Sequence, residues 1–471
     1  MKKRCIIISL ILMLCGCNGA VTDPDSETNI ATDTTMTVSE LQSETATSSV
    51  TTITTTTTKI TTTAETTVTT TETEPTYSQG YDWYGVTAEM LTPKFWAERD
   101  GKILKTPEEI AEYNKELTEI DGTDVVEIKD CEKTIDGSKL KSMIEKYIID
   151  CDFVNGNPIT WEQKQNYLAS RNLDAIPQTV TAKYGIITNE TNLRSFPTND
   201  ILMYKANIWD FDYFQESALS TGEPVIIYHE SADSKWKFIR SRNYSGWVSA
   251  DDIGECDKAD MESFAYGKDF ITVTNDYIDE NDVMLKMGVH LPLRNGKILM
   301  PASNGGKLET IETEIPEKLE YCNGYLPYTE YNVVNQSMKM LGDKYSWSSK
   351  DRNDDCSSTL LAVYECFGFH LPRNTSSMFS MNGTDFTGMG ELAKNEKLAE
   401  MGAGTLLLTK GHVMMYLGEV DGESYMIHNF TSCYDRNGTF HKVNQCAITP
   451  TSITKKGGQS YLSLITKAVR P

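Results

Sequence analysis

The feature that most constrains this chain is Asp355-Cys356-Ser357, followed further on by Gly411-His412-Val413. From Cys356 runs Cys-Ser-Ser-Thr-Leu-Leu-Ala-Val-Tyr-Glu-Cys-Phe, with Leu360, Val363, Tyr364 and Phe367 at helical spacing. That pattern predicts a helix with one buried face and Cys356 in its first turn. A helix N-terminus favours an anion, and the thiolate is the reactive form of cysteine. His412 opens Gly-His-Val-Met-Met-Tyr-Leu-Gly, which reads as a strand. His428 lies in the next strand-like run, Ser-Tyr-Met-Ile-His-Asn-Phe. A nucleophile on a helix, a base on one strand and an orienting group on the next follow the logic of a cysteine hydrolase. The catalytic candidates are therefore Cys356, His412 and His428.

The N-terminus carries Met-Lys-Lys-Arg, a short apolar run, and Leu14-Cys15-Gly16-Cys17. A basic start and a short apolar stretch make a secretory signal over 1–17. The last four residues resemble a bacterial lipobox, which implies lipidation at Cys17. The apolar run is short for a membrane span. The expected location is the bacterial cell envelope, lipid-anchored to the membrane and facing outside the cytoplasm. Residues 18–79 follow as a Ser/Thr-rich tract, about half Ser and Thr over 21–78. Such composition cannot bury a core and predicts a disordered tether.

About 390 residues remain, enough for two to four domains. The net charge of −23 argues against nucleic acid as a partner. Small peptides remain compatible. Of eleven cysteines, Cys5, Cys15 and Cys17 lie in the signal region. No C-x-x-C pair supports a zinc site, and no cofactor is indicated. Cys131–Cys151 and Cys433–Cys446 are candidate disulfides, with connectivity left open. Cys366, on the helix of Cys356, reads as a buried thiol.

Residues 80–177 read as a helical region. Thr106-Pro-Glu-Glu-Ile is a helix start with a Thr cap and Pro in the first turn, and Ser138-Lys-Leu-Lys-Ser-Met-Ile begins a second helix. Residues 178–255 switch to short β-rich runs between turns, as in a small barrel.

Several motifs carry a family resemblance. Tyr345-Ser-Trp347, Asp355-Cys356-Ser357, Leu371-Pro372-Arg373-Asn-Thr375 and Gly-Thr-Leu-Leu-Leu-Thr-Lys-Gly-His412 resemble the NlpC/P60 cysteine peptidases, papain-like enzymes that cut bacterial cell-wall peptides. The resemblance covers roughly 326–471. Asn192-Leu-Arg-Ser-Phe-Pro-Thr198 and Tyr244-Ser-Gly-Trp-Val-Ser resemble a bacterial SH3 domain, and a weaker set over 256–325 resembles a second one. The implied fold is α+β: a papain-like NlpC/P60 catalytic domain preceded by two small SH3-like β-barrels and a helical N-terminal region. With Gln215-Glu-Ser-Ala-Leu and Gly324-Tyr-Leu-Pro-Tyr, this architecture resembles the γ-D-glutamyl-L-diamino acid endopeptidases.

The resemblance implies Cys356 as nucleophile, His412 as base and His428 as its orienter. It implies a murein stem peptide, L-Ala-γ-D-Glu-diamino acid, as partner. The free N-terminal ammonium of such a peptide needs carboxylates, since burying an unpaired charge is costly. Asp355, Glu216 and Tyr244 match the positions for that role, and Ser357, Tyr345, Trp347 and Thr375 complete the expected substrate site. Arg373 is expected to support its loop. A barrel across the cleft would exclude intact wall. Two competing readings are a D,L-endopeptidase on intact peptidoglycan with SH3 wall-binding modules, and a non-catalytic peptidoglycan-binding lipoprotein. Three departures stand out: Ser348-Ser349 where relatives carry Gly-Gly, Met378 where Gln is common, and Asn429 where a small residue is frequent.

Overall fold

The computed structural model describes residues 74–80, 83 and 85–471. The expected signal, Cys17 lipidation and nearly all of the Ser/Thr tether lie outside the described residues. Among the described residues no helix is long and apolar enough to cross a membrane.

The sequence signals for N-terminal helices act as expected. Helix α1 (Pro107–Glu119) starts with a capping box, in which Thr106 and Glu109 satisfy each other's backbone N–H groups, and has Pro at its first position. Helix α2 (Gly137–Glu145) is capped by Asp136. Helix α3 (Trp161–Ser170) carries a second capping box from Thr160 and Gln163. The first two of these helices serve different cores. Ile110 and Leu117 of α1 pack with the C-terminal domain. Leu140 and Ile144 of α2 pack with Trp236, Phe238 and Trp247 of the first barrel.

That barrel comprises β1 (Lys183–Ile187), β2 (Thr191–Arg194), β3 (Gln215–Leu219), β4 (Pro224–Glu230), β5 (Trp236–Arg240), β6 (Ser245–Ser249) and β7 (Ile253–Cys256). Alternation along the strands explains its two apolar faces. Ile239 and Val248 point into the barrel with Val225, Ile227 and Leu193, whereas Phe238 and Trp247 point out under α2. The second barrel comprises β8 (Phe270–Val273), β9 (His290–Arg294), β10 (Lys297–Asn304), β11 (Lys307–Thr313) and β12 (Tyr321–Asn323). The strand order β12-β8-β9-β10-β11-β7-β1-β4-β5-β6-β2-β3 runs through both barrels. A parallel pairing of Glu255 with Lys307 joins them. The Glu255 carboxylate meets Lys183, Lys237 and Lys307 at 3.1, 2.7 and 2.9 Å, which fixes the junction electrostatically.

In the C-terminal domain, helices α4 (Glu330–Lys339), α5 (Cys356–Glu365) and α6 (Glu391–Met401) accompany an antiparallel sheet. Its main strands are β13 (Leu406–Thr409), β14 (His412–Val420), β15 (Glu423–Tyr434), β16 (Phe440–Pro450) and β17 (Lys467–Val469), in the order β17-β13-β14-β15-β16, with the short segment Thr384–Asp385 paired outside β17. Leu360 and Val363 of α5 pack on Val413, Met415 and Ile427. Met414, Met426 and Phe430, on the opposite face, join Tyr461 in a second cluster. The fold is thus the α+β arrangement expected, with the helical N-terminal region divided among several cores.

The candidate disulfides are corrected. None of the eight described cysteines is in a disulfide. Cys446 pairs opposite Asn429, and Cys433 opposite His441. That register separates the two cysteines by four residues along the ladder, roughly 13 Å, where a disulfide needs Cα atoms within about 7 Å. Cys131 and Cys151 belong to separate apolar clusters.

Candidate active site

Cys356 is the first residue of α5 and is 8% exposed. Asp355 caps the helix: its Oδ1 accepts from the N–H groups of Ser357 and Ser358, both at 2.9 Å, while Ser358 Oγ accepts from the Asp355 N–H. The Asp355 carboxylate also pairs with Arg373, whose Nη2 donates to Oδ2 at 2.8 Å. Burial pushes the Asp355 carboxyl up, but Arg373 and the capping bonds outweigh it and hold it below the usual range. Thr375 Oγ1 lies 4.0 Å from Cys356 Sγ.

His412 is placed by a tight turn. Thr409 pairs with His412 across Lys410-Gly411, and Gly411 has φ +75°, a conformation glycine adopts without strain. His412 Nε2 lies 2.9 Å from His428 Nδ1, and His428 Nε2 lies 3.0 Å from Thr449 Oγ1. The His428 ring stacks on Phe430 at 3.9 Å and 4°. Tyr461 meets both imidazoles edge to face, at 6.0 Å for His412 and 5.7 Å for His428. Burial lowers the His412 pKa to about 3, assisted by the charge of Lys455 and opposed by Asp355. Burial also holds His428 well below its ordinary value. Both rings are then neutral at pH 7. A proton on His412 Nε2 would donate to His428 Nδ1, and one on His428 Nε2 to Thr449, leaving His412 Nδ1 as the available base.

The first barrel reaches this site through β3. Gln215 Nε2 donates to the Ser348 carbonyl at 3.3 Å, and Arg373 Nε donates to Ser217 Oγ at 2.7 Å. Trp347 packs on Phe211 and Tyr213, with centroids 5.2 and 6.2 Å apart. Between these contacts, the Tyr244 hydroxyl donates to Glu216 Oε2 at 2.6 Å. The Asn374 side chain, next to Thr375, also reaches that hydroxyl. Burial raises the Glu216 carboxyl, against the Tyr244 bond and the charges of Lys146, Arg194 and Arg373.

The second barrel reaches the same segment. Lys286 Nζ bridges Asp276 at 2.8 Å and Asp354 at 2.7 Å. Arg352 pairs with Asp282 at 2.7 Å. Both barrels therefore grip the stretch that leads into Cys356. Within it, Ser348 and Ser349 adopt φ 52° and 58°, left-handed conformations that favour glycine. Tyr345 is bridged to Asp354 and its N–H donates to the Asn444 carbonyl at 3.0 Å.

The expected residues fall into two groups. Cys356, Asp355, Ser357 and Thr375 cluster at the start of α5, and Glu216 with Tyr244 approaches through Asn374. His412 and His428 are joined directly. Asp355 differs from expectation in being committed to the cap and to Arg373. Sequence reasoning missed Lys455, Tyr461 and Thr449, which are brought in by the C-terminal segment. It also missed Lys286, contributed by the second barrel. The one local signal, for Lys455 and Tyr461, is the turn-forming Lys-Lys-Gly-Gly over 455–458 after the last long strand. A polar cavity of about 130 Å³ lies between the barrels and α5, lined in part by Glu190, Glu223, Arg242, Lys286, Glu365 and His370. Cys356 is not in its wall. Among the described residues no group of three or more His, Cys, Asp or Glu is arranged to hold a metal ion.

Comparison with known proteins agrees with this architecture. The sequence model of the NlpC/P60 family matches residues 342–444, and that of an SH3 domain of SH3b1 type matches 206–249. No curated protein matches the sequence significantly. The structure is similar to that of an NlpC/P60 endopeptidase from Photobacterium damselae subsp. piscicida, with TM-score 0.65 and 21% identity, covering 80% of this chain and 95% of that one. NlpC2 from Trichomonas vaginalis matches with TM-score 0.24 and 15% identity over 58% of this chain and 97% of its own. The chain therefore carries an NlpC/P60 peptidase-family domain behind an SH3b domain.

Proposed function

We propose that this protein is a cysteine endopeptidase that cleaves the γ-D-glutamyl–L-diamino acid bond of murein peptides with a free N-terminal L-alanine. The observation that carries this reading is the Glu216–Tyr244 pair, which the first barrel delivers beside Asn374 and Thr375 at the nucleophile. An acid held in a buried, hydrogen-bonded position has its charged form favoured when an ammonium arrives. Glu216 is thus suited to receive the substrate amine. Asp355 contributes less to that role, because Arg373 already balances it.

In the reaction, His412 Nδ1 takes the thiol proton as Cys356 attacks the γ-carbonyl. The Cys356 amide, at the helix N-terminus, supports the oxyanion. His412 then gives the proton to the leaving amine, and water hydrolyses the thioester. The His428–Thr449 relay holds the required tautomer and orientation.

The barrels support a closed cleft. Each is tied by ion pairs or hydrogen bonds to residues 348–373, so they build the site's walls and are poorly placed to act as free wall-binding modules. Lipid attachment at Cys17, and with it a place outside the cytoplasmic membrane, is proposed on the lipobox alone. The test is digestion of L-Ala-γ-D-Glu-diamino acid tripeptide, followed by mass spectrometry. The expected products are L-Ala-D-Glu and the free diamino acid, absent with Cys356→Ala. Cleavage between L-Ala and D-Glu, or cleavage that survives Cys356→Ala, would overturn the proposal.

A further inference from the structure

The turn after β16 holds a lysine at the catalytic histidines. Thr454 and Tyr434 exchange backbone hydrogen bonds at 2.9 Å, and the Lys455 N–H donates to the Gln459 carbonyl at 3.0 Å. The Gly458 N–H donates back to the Lys455 carbonyl at 3.0 Å, and the Tyr461 N–H to Ile453 at 2.9 Å. The backbone of Lys455 is thereby fixed. Its side chain is half-buried, with Nζ 5.4 Å from the centroid of the Tyr461 ring. That ring is buried, and its edge contacts are with His412 and His428. The ammonium therefore sits over an aromatic face whose other neighbours are the catalytic imidazoles.

Its charge reaches the nucleophile as well. Burial lowers the Lys455 pKa, and the charge of Cys356 is what opposes that shift. Among the described residues Lys455 has no carboxylate partner, in a chain with 67 acidic and 44 basic residues. The other cation beside the nucleophile, Arg373, is committed to Asp355 and three serine hydroxyls. Once Cys356 is acylated, its sulfur can no longer carry a negative charge toward Lys455. A substrate anion can replace it.

We propose that Lys455 is a specificity-determining residue, whose ammonium takes a substrate carboxylate adjacent to the scissile amide. The inference rests on the function proposed above. In that substrate two carboxylates flank the bond: the α-carboxylate of D-glutamate on the acyl side, and the carboxylate of the diamino acid on the leaving side. Peptides amidated at the recognised position place a neutral group against the ammonium and are disfavoured.

The first test needs no peptide substrate. Iodoacetate and iodoacetamide are nearly isosteric and differ in charge. With either, the Cys356 thiolate displaces iodide and forms a thioether. The ratio of the two rates at Cys356 is read by mass spectrometry of its tryptic peptide from the full-length protein. Taking the ratio cancels changes in intrinsic thiol reactivity. The iodoacetate preference is expected to fall about tenfold in Lys455→Met. It should be retained in Lys455→Arg and in the exposed neighbour control Lys456→Met. An unchanged ratio in Lys455→Met would overturn the inference.

The second test compares kcat/KM for tripeptides with D-glutamate or D-isoglutamine, and with a free or amidated diamino acid carboxylate. Lys455→Met should erase the wild-type preference at one position, which identifies the carboxylate bound. Retention of both preferences would overturn the inference. Failure of the wild type to cleave any of them would reject the proposed function, and the alkylation ratio would still decide the role of Lys455.

Discussion

His412 Nε2 and His428 Nδ1 lie 2.9 Å apart, and the far nitrogen of His428 lies 3.0 Å from Thr449 Oγ1. This chain of ring nitrogens is buried, and with the His412 proton on Nε2 it leaves Nδ1 to serve as the base in the proposed reaction. His428→Ala should lower kcat by roughly 10²–10³, through loss of tautomer and orientation. His428→Gln can accept from His412 Nε2 through Oε1 and should recover much of that loss. Steady-state kinetics on the tripeptide separates the two variants, and equal loss in both would reject the orienting role.

The left-handed Ser348 has a measurable cost. Left-handed conformation disfavours a non-glycine residue by about 1 kcal/mol. The Ser348 carbonyl accepts from Gln215, and that bond does not need the side chain. Ser348→Gly should therefore raise stability by a few tenths to about 1 kcal/mol, after the entropy cost of glycine. Ser349→Gly should gain nothing, because Ser349 Oγ accepts from Arg373 at 2.9 Å. Thermal denaturation of the two variants checks the contrast.

The cavity behind α5 predicts alkaline destabilisation. Burial raises Glu365 to about 8, helped by the charges of Glu223 and Asp354 and opposed by Arg242. Burial also raises Glu223 to about 7 and Glu190 to about 7. Arg242, Lys286, His290, Asp354, His370 and Arg373 are the other charged or titratable residues of the lining. The folded protein holds these protons more tightly than the unfolded chain, whose carboxyls release them near 4.5. Stability contributed by the neutral acids is thus lost as pH rises from 4.5 to 8, at about 1.4 kcal/mol per unit for one group. Glu365→Gln should raise Tm at pH 8.5 and leave it nearly unchanged at pH 4.5. Equal shifts at both pH values would contradict this origin.

The parts of the fold legible in sequence are those set by local rules. The Thr106 cap and the amphipathic run from Cys356 each carry their own signal within a few residues. The barrels showed as short β-rich runs, and their order came from family resemblance. What stayed hidden depends on closure of the chain in space. Nothing near Lys286 points to Asp354, and nothing near Lys455 points to Cys356. The disulfide pairing failed for the same reason, since β15–β16 register, and not sequence spacing, sets what faces Cys433. The resemblance singled out Asp355 for the substrate ammonium, but its pairing with Arg373 required the loop after α5 to fold back. Glu216 and Tyr244 lie on separate barrel strands, so only the resemblance singled them out.

The central claim is recognition of a free amine by Glu216 at the Cys356 site. The most direct measurement compares kcat/KM for L-Ala-γ-D-Glu-diamino acid with that for its N-acetylated twin, in wild type and Glu216→Gln. The account predicts that wild type favours the free amine by about 100-fold or more, and that Glu216→Gln removes most of the difference. Equal cleavage of the two peptides by wild type would contradict it and favour a hydrolase of intact wall.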